Sequence, residues 1–225
     1  MPSRILIGLC VLLGGLLFGW LVWRGSASRR PTGEASAPIT IKQPVAFTNH
    51  TFDPAAPPPD MPPLAHGENA ECDSNFLSSA SVRGETRPSD ATHANVTIMQ
   101  INVTLQLNIN IWVPTGVTQH VIEHEDGHRQ ISESYYQTAD KLAARIAATY
   151  MGKQIEITGA DLGAESSKML QQMATEITEQ YNKELNPGPA QLLYDSITDH
   201  GRNEVAVRDA VAHALKNTAI ESLSR

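Results

Sequence analysis

The chain has 225 residues, 41% of them hydrophobic and 5% aromatic, with a formal net charge of −7. That length suits one globular domain with appendages, not two large domains. Four of the 17 basic residues (Arg4, Arg24, Arg29, Arg30) lie in the first 30, where no acidic residue occurs, leaving 13 basic against 24 acidic side chains in the rest. An acidic body without a basic run argues against nucleic acid as a partner.

Ile5 to Trp23 is a run of 19 residues without a charge. As a helix it just spans a hydrocarbon core, with Trp20 and Trp23 at one interface and Arg4 and Arg24 at its ends. Residues 1–30 are therefore read as a single-pass membrane anchor, the domain facing the periplasm or exterior. A cleaved signal ending near Ser26-Ala27-Ser28, releasing a secreted domain, is the competing reading. Cys10 falls inside this run, so Cys72 has no partner in the body of the chain. That excludes an internal disulfide framework and a cysteine-based zinc site, and Cys72 is read as a buried thiol.

Residues 31–67 are punctuated by Pro31, Pro38, Pro44, Pro54, Pro57, Pro58, Pro59, Pro62 and Pro63. Proline fixes φ and removes a donor, so the stretch reads as an extended linker, to which Ile39 to Phe47 could add a short strand. The domain is placed at 68–225. Its first part, Gly67 to Thr92, is polar and rich in turn residues, and no element is assigned there.

From Met99 to Val113 apolar and polar residues alternate strictly. Period two predicts a strand with one buried face. Fifteen residues is long for one strand, so a bend, bulge or break is expected near Asn108 to Asn110. The strand's polar edge is expected to pair with an extended peptide.

Pro114-Thr115-Gly116 ends that strand, and Thr118 is a reasonable N-cap for a helix predicted from Gln119 to Tyr150. Val121, Ile122, Ile131, Tyr135, Leu142, Ile146 and Tyr150 form its apolar stripe. Inside it stands His124-Glu125-Asp126-Gly127-His128, an H-E-x-x-H pattern. Residues four apart on a helix differ by about 40° in direction, so the two imidazoles project together and can hold one Zn²⁺. Glu125 flanks that face, within reach of a metal-bound water. Gly127 leaves room for a close neighbour. His120, a turn earlier, is too far along the axis to join both other histidines on one ion.

A catalytic zinc needs a third protein ligand. A second helix is predicted over Ala164 to Glu184, where Glu176 is a candidate. Asn186-Pro187-Gly188-Pro189 breaks it. The better candidates follow in Tyr194-Asp195-Ser196-Ile197-Thr198-Asp199-His200-Gly201, where Asp195 and His200 stand close together. His213 lies in a further amphipathic helix from Asn203 to Leu223 and is read as structural.

HEDGH followed by YDSITDHG resembles a bacterial family of predicted secreted zinc-dependent proteases, domain of unknown function 922. That family pairs an H-E-x-G-H helix with a Y-D-x-x-T-x-H-G block, and the resemblance covers roughly residues 68–205. It implies His124 and His128 as zinc ligands, Glu125 as catalytic base and His200 as third ligand. It also implies that Tyr194, Asp195 and Thr198 belong to the same site, with Tyr194 available to donate to an oxyanion.

The expected fold is α+β of zincin type: a small antiparallel or mixed sheet, then the motif helix, then a mostly helical C-terminal part. The expected function is a membrane-anchored or exported zinc metallopeptidase acting on peptides or proteins, with Glu125 as general base. The alternatives are a membrane-tethered binding or scaffold module with a structural zinc, and a zinc amidase acting on cell-wall peptides.

Overall fold

The computed structural model describes residues 37–64 and 68–223. The apolar run at residues 5–23, read as an anchor, lies outside the described residues. No helix among the described residues is long and apolar enough to cross a membrane.

The fold is α+β, built on one long strand. Five strands form a mixed sheet: β1 (Ile39–Lys42), β2 (Ala46–Phe52), β3 (Glu71–Pro88), β4 (His93–Pro114) and β5 (Gln154–Thr158). Five helices accompany them: α1 (Gln119–Gln137), α2 (Ala139–Ala148), α3 (Leu162–Glu184), α4 (Gly188–Thr198) and α5 (Val207–Leu223). β4 has 22 residues and is the spine. β3 pairs with it antiparallel over its whole length. Along the opposite edge lie, in turn, β5 antiparallel at 93–97, β1 parallel at 102–105 and β2 parallel at 108–114.

Two expectations change here. The peptide-pairing edge predicted for the alternating strand is already occupied on both sides, and among the described strands the outer edges belong to β3 on one side and to β5, β1 and β2 on the other. Residues 39–52, inside the stretch read as a linker, form β1 and β2. They contribute to helix packing as well. Lys42 at the end of β1 donates to the carbonyl of Gln137 at 3.0 Å and pairs with Asp140 at 3.4 Å. A cation at the α1 C-terminus is favoured by the helix dipole.

The irregularity in β4 falls at Met99, not near Asn108. Arg83 pairs with Gln100 but Gly84 with Ile98, so Met99 is the extra residue of a bulge. A bulge shifts the inward-facing phase by one. Ala94, Val96 and Ile98 are buried before it, and Ile101, Val103, Leu105, Leu107 and Ile109 after it. Gly84 is needed opposite the bulge: a Cβ there would lie 2.7 Å from Val96 Cγ1 and 3.2 Å from Leu170 Cδ2.

The buried face of β4 packs against Tyr136 of α1, Ala139, Ala143, Ile146 and Ala147 of α2, and Met173, Ile177 and Tyr181 of α3. The Tyr136 hydroxyl lies 2.8 Å from the carbonyl of Gln43 and 2.9 Å from that of Leu105 and donates its one proton there. This fixes α1 to the sheet. The helix predicted as one from Gln119 to Tyr150 is two, broken at Thr138. α3 starts at Asp161, whose carboxylate accepts from the backbone N–H of Gly163 and Ala164. A second apolar cluster joins Ile131 of α1 to Ala190 and Tyr194 of α4 and Ala210, Val211 and Ala214 of α5. α1 is thus clamped between the sheet and the α4–α5 pair, and the HEDGH turn lies where α4 meets it.

Candidate metal centre

His124 and Glu125 are each 6% exposed, unusual burial for a charged pair of types unless something compensates. The face of α4 opposite them carries Gln191, Tyr194, Asp195 and Thr198, at the helical spacing i, i+3, i+4, i+7. Each of these four touches the motif. Close approach is possible because residue 127 is glycine: a Cβ there would lie 2.1 Å from the Tyr194 hydroxyl. Gly201 does the same from the other side, where a Cβ would lie 2.8 Å from His124 Cγ. The two glycines therefore let α4 and the loop after it close onto the histidines.

Three ligand atoms converge. His124 Nε2 and His128 Nε2 are 3.2 Å apart. Asp195 Oδ1 is 2.9 Å from His128 Nε2 and 3.5 Å from His124 Nε2. Tetrahedral donors about 2.0–2.1 Å from one zinc stand about 3.3 Å from each other. The observed triangle has that size. Asp195 Oδ1 is buried and close to both rings, yet it makes no aligned hydrogen bond with either. A buried oxygen left so is costly unless a cation completes it. His124, His128 and Asp195 therefore form a group compatible with a metal ion.

The far sides of both rings are specified as well. His128 Nδ1 lies 2.6 Å from Gln191 Oε1. The Gln191 amide nitrogen donates to the carbonyl of His128 at 3.1 Å and to Ser132 Oγ at 3.0 Å, so its oxygen must face the ring as acceptor. His128 Nδ1 therefore carries the proton. Thr198 Oγ1 donates to the carbonyl of Tyr194 at 2.8 Å, which leaves it to accept from His124 Nδ1 at 3.4 Å. With both Nδ1 atoms donating, the two Nε2 atoms are left facing each other beside Asp195 Oδ1. Metal-ligating histidines are typically held this way.

Charge reinforces the geometry. Burial alone would raise the Asp195 carboxyl, but the imidazoles of His124 and His128 override it and hold the group well below the usual carboxylate range. Burial opposes a charge on His128, and Asp195 beside it prevails, raising the imidazole to about 9. A proton thus occupies the centre when no metal does. Glu125 is pushed up to about 8, by burial first, with Glu71, Glu68 and Asp195 adding and His128 opposing. Burial and then Glu68 raise Glu71 to about 7. Cys72 is a free, partly buried thiol. Burial first, then Glu125, drive its pKa up, so it is not a nucleophile near neutrality.

The sequence-derived residues divide clearly. His124, His128 and Asp195 are together, with Glu125 beside them. His200 is not in that group. It is grouped instead with Glu68 and Asp195. Its Nδ1 lies 3.2 Å from Glu68 Oε1, and its side chain is 43% exposed. Tyr194 is fully buried; its hydroxyl donates to the carbonyl of His124 at 3.1 Å and its ring stacks on His124 with centroids 5.0 Å apart. Those contacts position the histidine. Glu176 is exposed on α3 and bonded to Gln172 at 3.0 Å. His120 and His213 join no such group among the described residues. Gln191 and Glu68 were not singled out from the sequence. Gln191 was legible in principle, one turn ahead of Asp195 on the same helix face.

Fold and site together define an α+β domain with a buried two-histidine, one-aspartate donor group between a motif helix and a following helix. No protein-family model, curated protein or solved structure matches the chain.

Proposed function

We propose that this protein is a zinc-dependent peptidase of zincin type, tethered to or exported across a membrane by its N-terminal segment. One observation carries the reading: the convergence of His124 Nε2, His128 Nε2 and Asp195 Oδ1, with both histidine Nδ1 atoms held by donation to Thr198 and Gln191. Zinc suits two imidazoles and a carboxylate, and three protein ligands leave one position open, as catalytic sites require.

A zinc ion there would supply Lewis-acid polarisation of a carbonyl and acidify a water. The chain's own residues do the rest. Asp195, His124 and His128 would hold the ion. Glu125 takes a proton from the attacking water at its carboxylate and delivers it to the leaving nitrogen. Tyr194 and Thr198 keep His124 in place, and Gln191 keeps His128.

A groove of about 710 Å³ lined by Phe52, Pro58, Met61, Leu64, Val117 and Val121 supports a peptide substrate. Val121 is one turn ahead of His124 on α1. The groove's walls combine these apolar residues with Asn69, Thr115 and Thr118, a mixture that suits both a side chain and the backbone of an extended peptide.

The test is Glu125→Gln in the full chain, assayed on a peptide library and on cell-wall peptides. The expected outcome is a drop in turnover of about 10²–10⁴-fold with zinc content unchanged. Full activity in the variant would remove the mechanism. Stoichiometric zinc with no turnover of any peptide by the wild type would replace the peptidase by a scaffold with a structural zinc.

A further inference from the structure

Asp195 belongs to two donor groups at once. Besides His124 and His128, it stands with Glu68 and His200, and the ligand atoms of these three lie within 4.8 Å of one another. We propose that Glu68, Asp195 and His200 form a second divalent-cation site, and that Asp195 is the carboxylate shared between two ions. The proposal rests on the metal reading of the first group but not on its hydrolytic chemistry.

The donor set is mixed: two carboxylates and one imidazole. That combination suits a hard to borderline dication such as Mn²⁺ or Zn²⁺. The three donors come from separate segments: Glu68 from the approach to β3, Asp195 from α4, His200 from the turn after α4. Nothing about helix or strand formation by itself brings them together.

The backbone ties this group to the first. Asp199, His200 and Gly201 are all left-handed, with φ of 49°, 54° and 72°. Two consecutive non-glycine residues in that region are held there only when their surroundings insist. Here the His200 N–H donates to the carbonyl of Asp195 at 3.0 Å. Gly201 then lies against the His124 ring with no room for a Cβ. The turn that presents His200 is therefore seated on a ligand of the first group.

Charge acts in the same direction: the carboxylate oxygens of Glu68 and Asp195 lie within 4.8 Å of each other, and a dication between them offsets that repulsion. His200 Nδ1 lies 3.2 Å from Glu68 Oε1, and the two side chains are 43% and 25% exposed. That exposure makes the second ion the weaker and the first to leave. Two-metal hydrolytic sites hold their ions about 3.5–4 Å apart, near enough for magnetic coupling.

The test uses the full chain in detergent, stripped of metal and dialysed against Mn²⁺ alone or Zn²⁺ alone. Ion content is measured directly, and Mn²⁺ pairs are read by electron paramagnetic resonance. The wild type is expected to hold two ions with an exchange-coupled Mn²⁺ signal. His200→Ala and Glu68→Gln should each hold one ion and lose the coupling, and their retained tight ion reports that they are folded. His128→Ala should lose the tight ion instead. One ion per wild-type chain at millimolar metal would overturn the proposal. So would two ions, still coupled, in both His200→Ala and Glu68→Gln. A two-ion protein that cleaves no peptide would refute the peptidase reading and leave this site standing. An active one-ion protein would do the reverse.

Discussion

The histidines of α1 and the histidine after α4 are held in opposite ways. His124 and His128 sit on a regular helix, largely buried, each with Nδ1 bonded to a neighbour from α4. His200 is the middle of three left-handed residues, near the surface, with its Nδ1 beside Glu68. Both environments border Asp195. The difference teaches where rigidity comes from. The α1 pair is fixed by a helix packed on both sides, so its ligand atoms are already at the spacing of a filled site. His200 is fixed only through its backbone, so its ring can adjust.

The sharpest break of that comparison is at the shared carboxylate. Asp195→Ala leaves two imidazoles and is expected to weaken zinc binding by more than the roughly 10–100-fold typical of losing an outer partner, as read by competition with a chelator. His200→Ala should leave the tight affinity nearly unchanged. Equal losses in the two variants would mean that the two environments are one site.

Next comes the helix contact. Gly127→Ala places a Cβ on the Tyr194 hydroxyl and should cost about 1–3 kcal/mol of stability by thermal melting, with zinc affinity falling alongside as α4 is displaced. Gln191→Ala is expected to lower zinc affinity by about 10–100-fold at little cost in fold, because His128 Nδ1 loses its acceptor. Thr198→Val should have a smaller effect, since its contact with His124 is longer, at 3.4 Å. An order reversed between these two would show that His124, not His128, depends more on its outer partner.

The remaining effects are graded with pH. His128 is raised to about 9 and Glu125 to about 8, so the metal-free folded protein binds more protons than the unfolded chain across this range. Both groups therefore stabilise the metal-free protein most below their unfolded values and lose that contribution as pH rises through the folded ones. Its melting temperature should fall between pH 6 and pH 9. Zinc binding must displace the His128 proton, so zinc affinity should rise with pH, by about tenfold per unit if one proton leaves, and level off above about 9. Calorimetry in buffers of differing ionisation enthalpy counts that proton. A melting temperature that rises from pH 6 to 9 without metal would contradict the buried cationic centre.

Much of this was readable in order. H-E-x-x-H needed only the helical period, since residues four apart on any helix share a face. The alternation from Met99 announced a half-buried strand, and the three-residue step from Ile98 to Ile101 in place of a two-residue one already marked the bulge. The start of β4 was missed because the alternation was counted from the wrong side of that step. β3 carried no usable pattern. Its Asp73, Asn75, Gly84 and Pro88 read as turns, and its core-facing residues, Cys72, Phe76, Ala80 and Val82, are too few and too weakly apolar to show against them. The short strand read over Ile39 to Phe47 covers β1 and the start of β2, but the prolines around it hid that β2 runs on to Phe52.

Local period and chemistry by themselves settled which residue types were available: two histidines and a glutamate on one helix, and a polar block some seventy residues on. They could not choose between Asp195 and His200 for the place beside those histidines. Both stand in the same block, five residues apart. The choice depended on how α4 docks: Gly127 admits the Tyr194 hydroxyl, and that contact sets which face of α4 meets α1. Asp195 lies on the helix face that this contact turns inward; His200 lies past the left-handed turn and faces Glu68 instead. Only packing could make that distinction, because it is a property of two surfaces meeting and not of either segment alone.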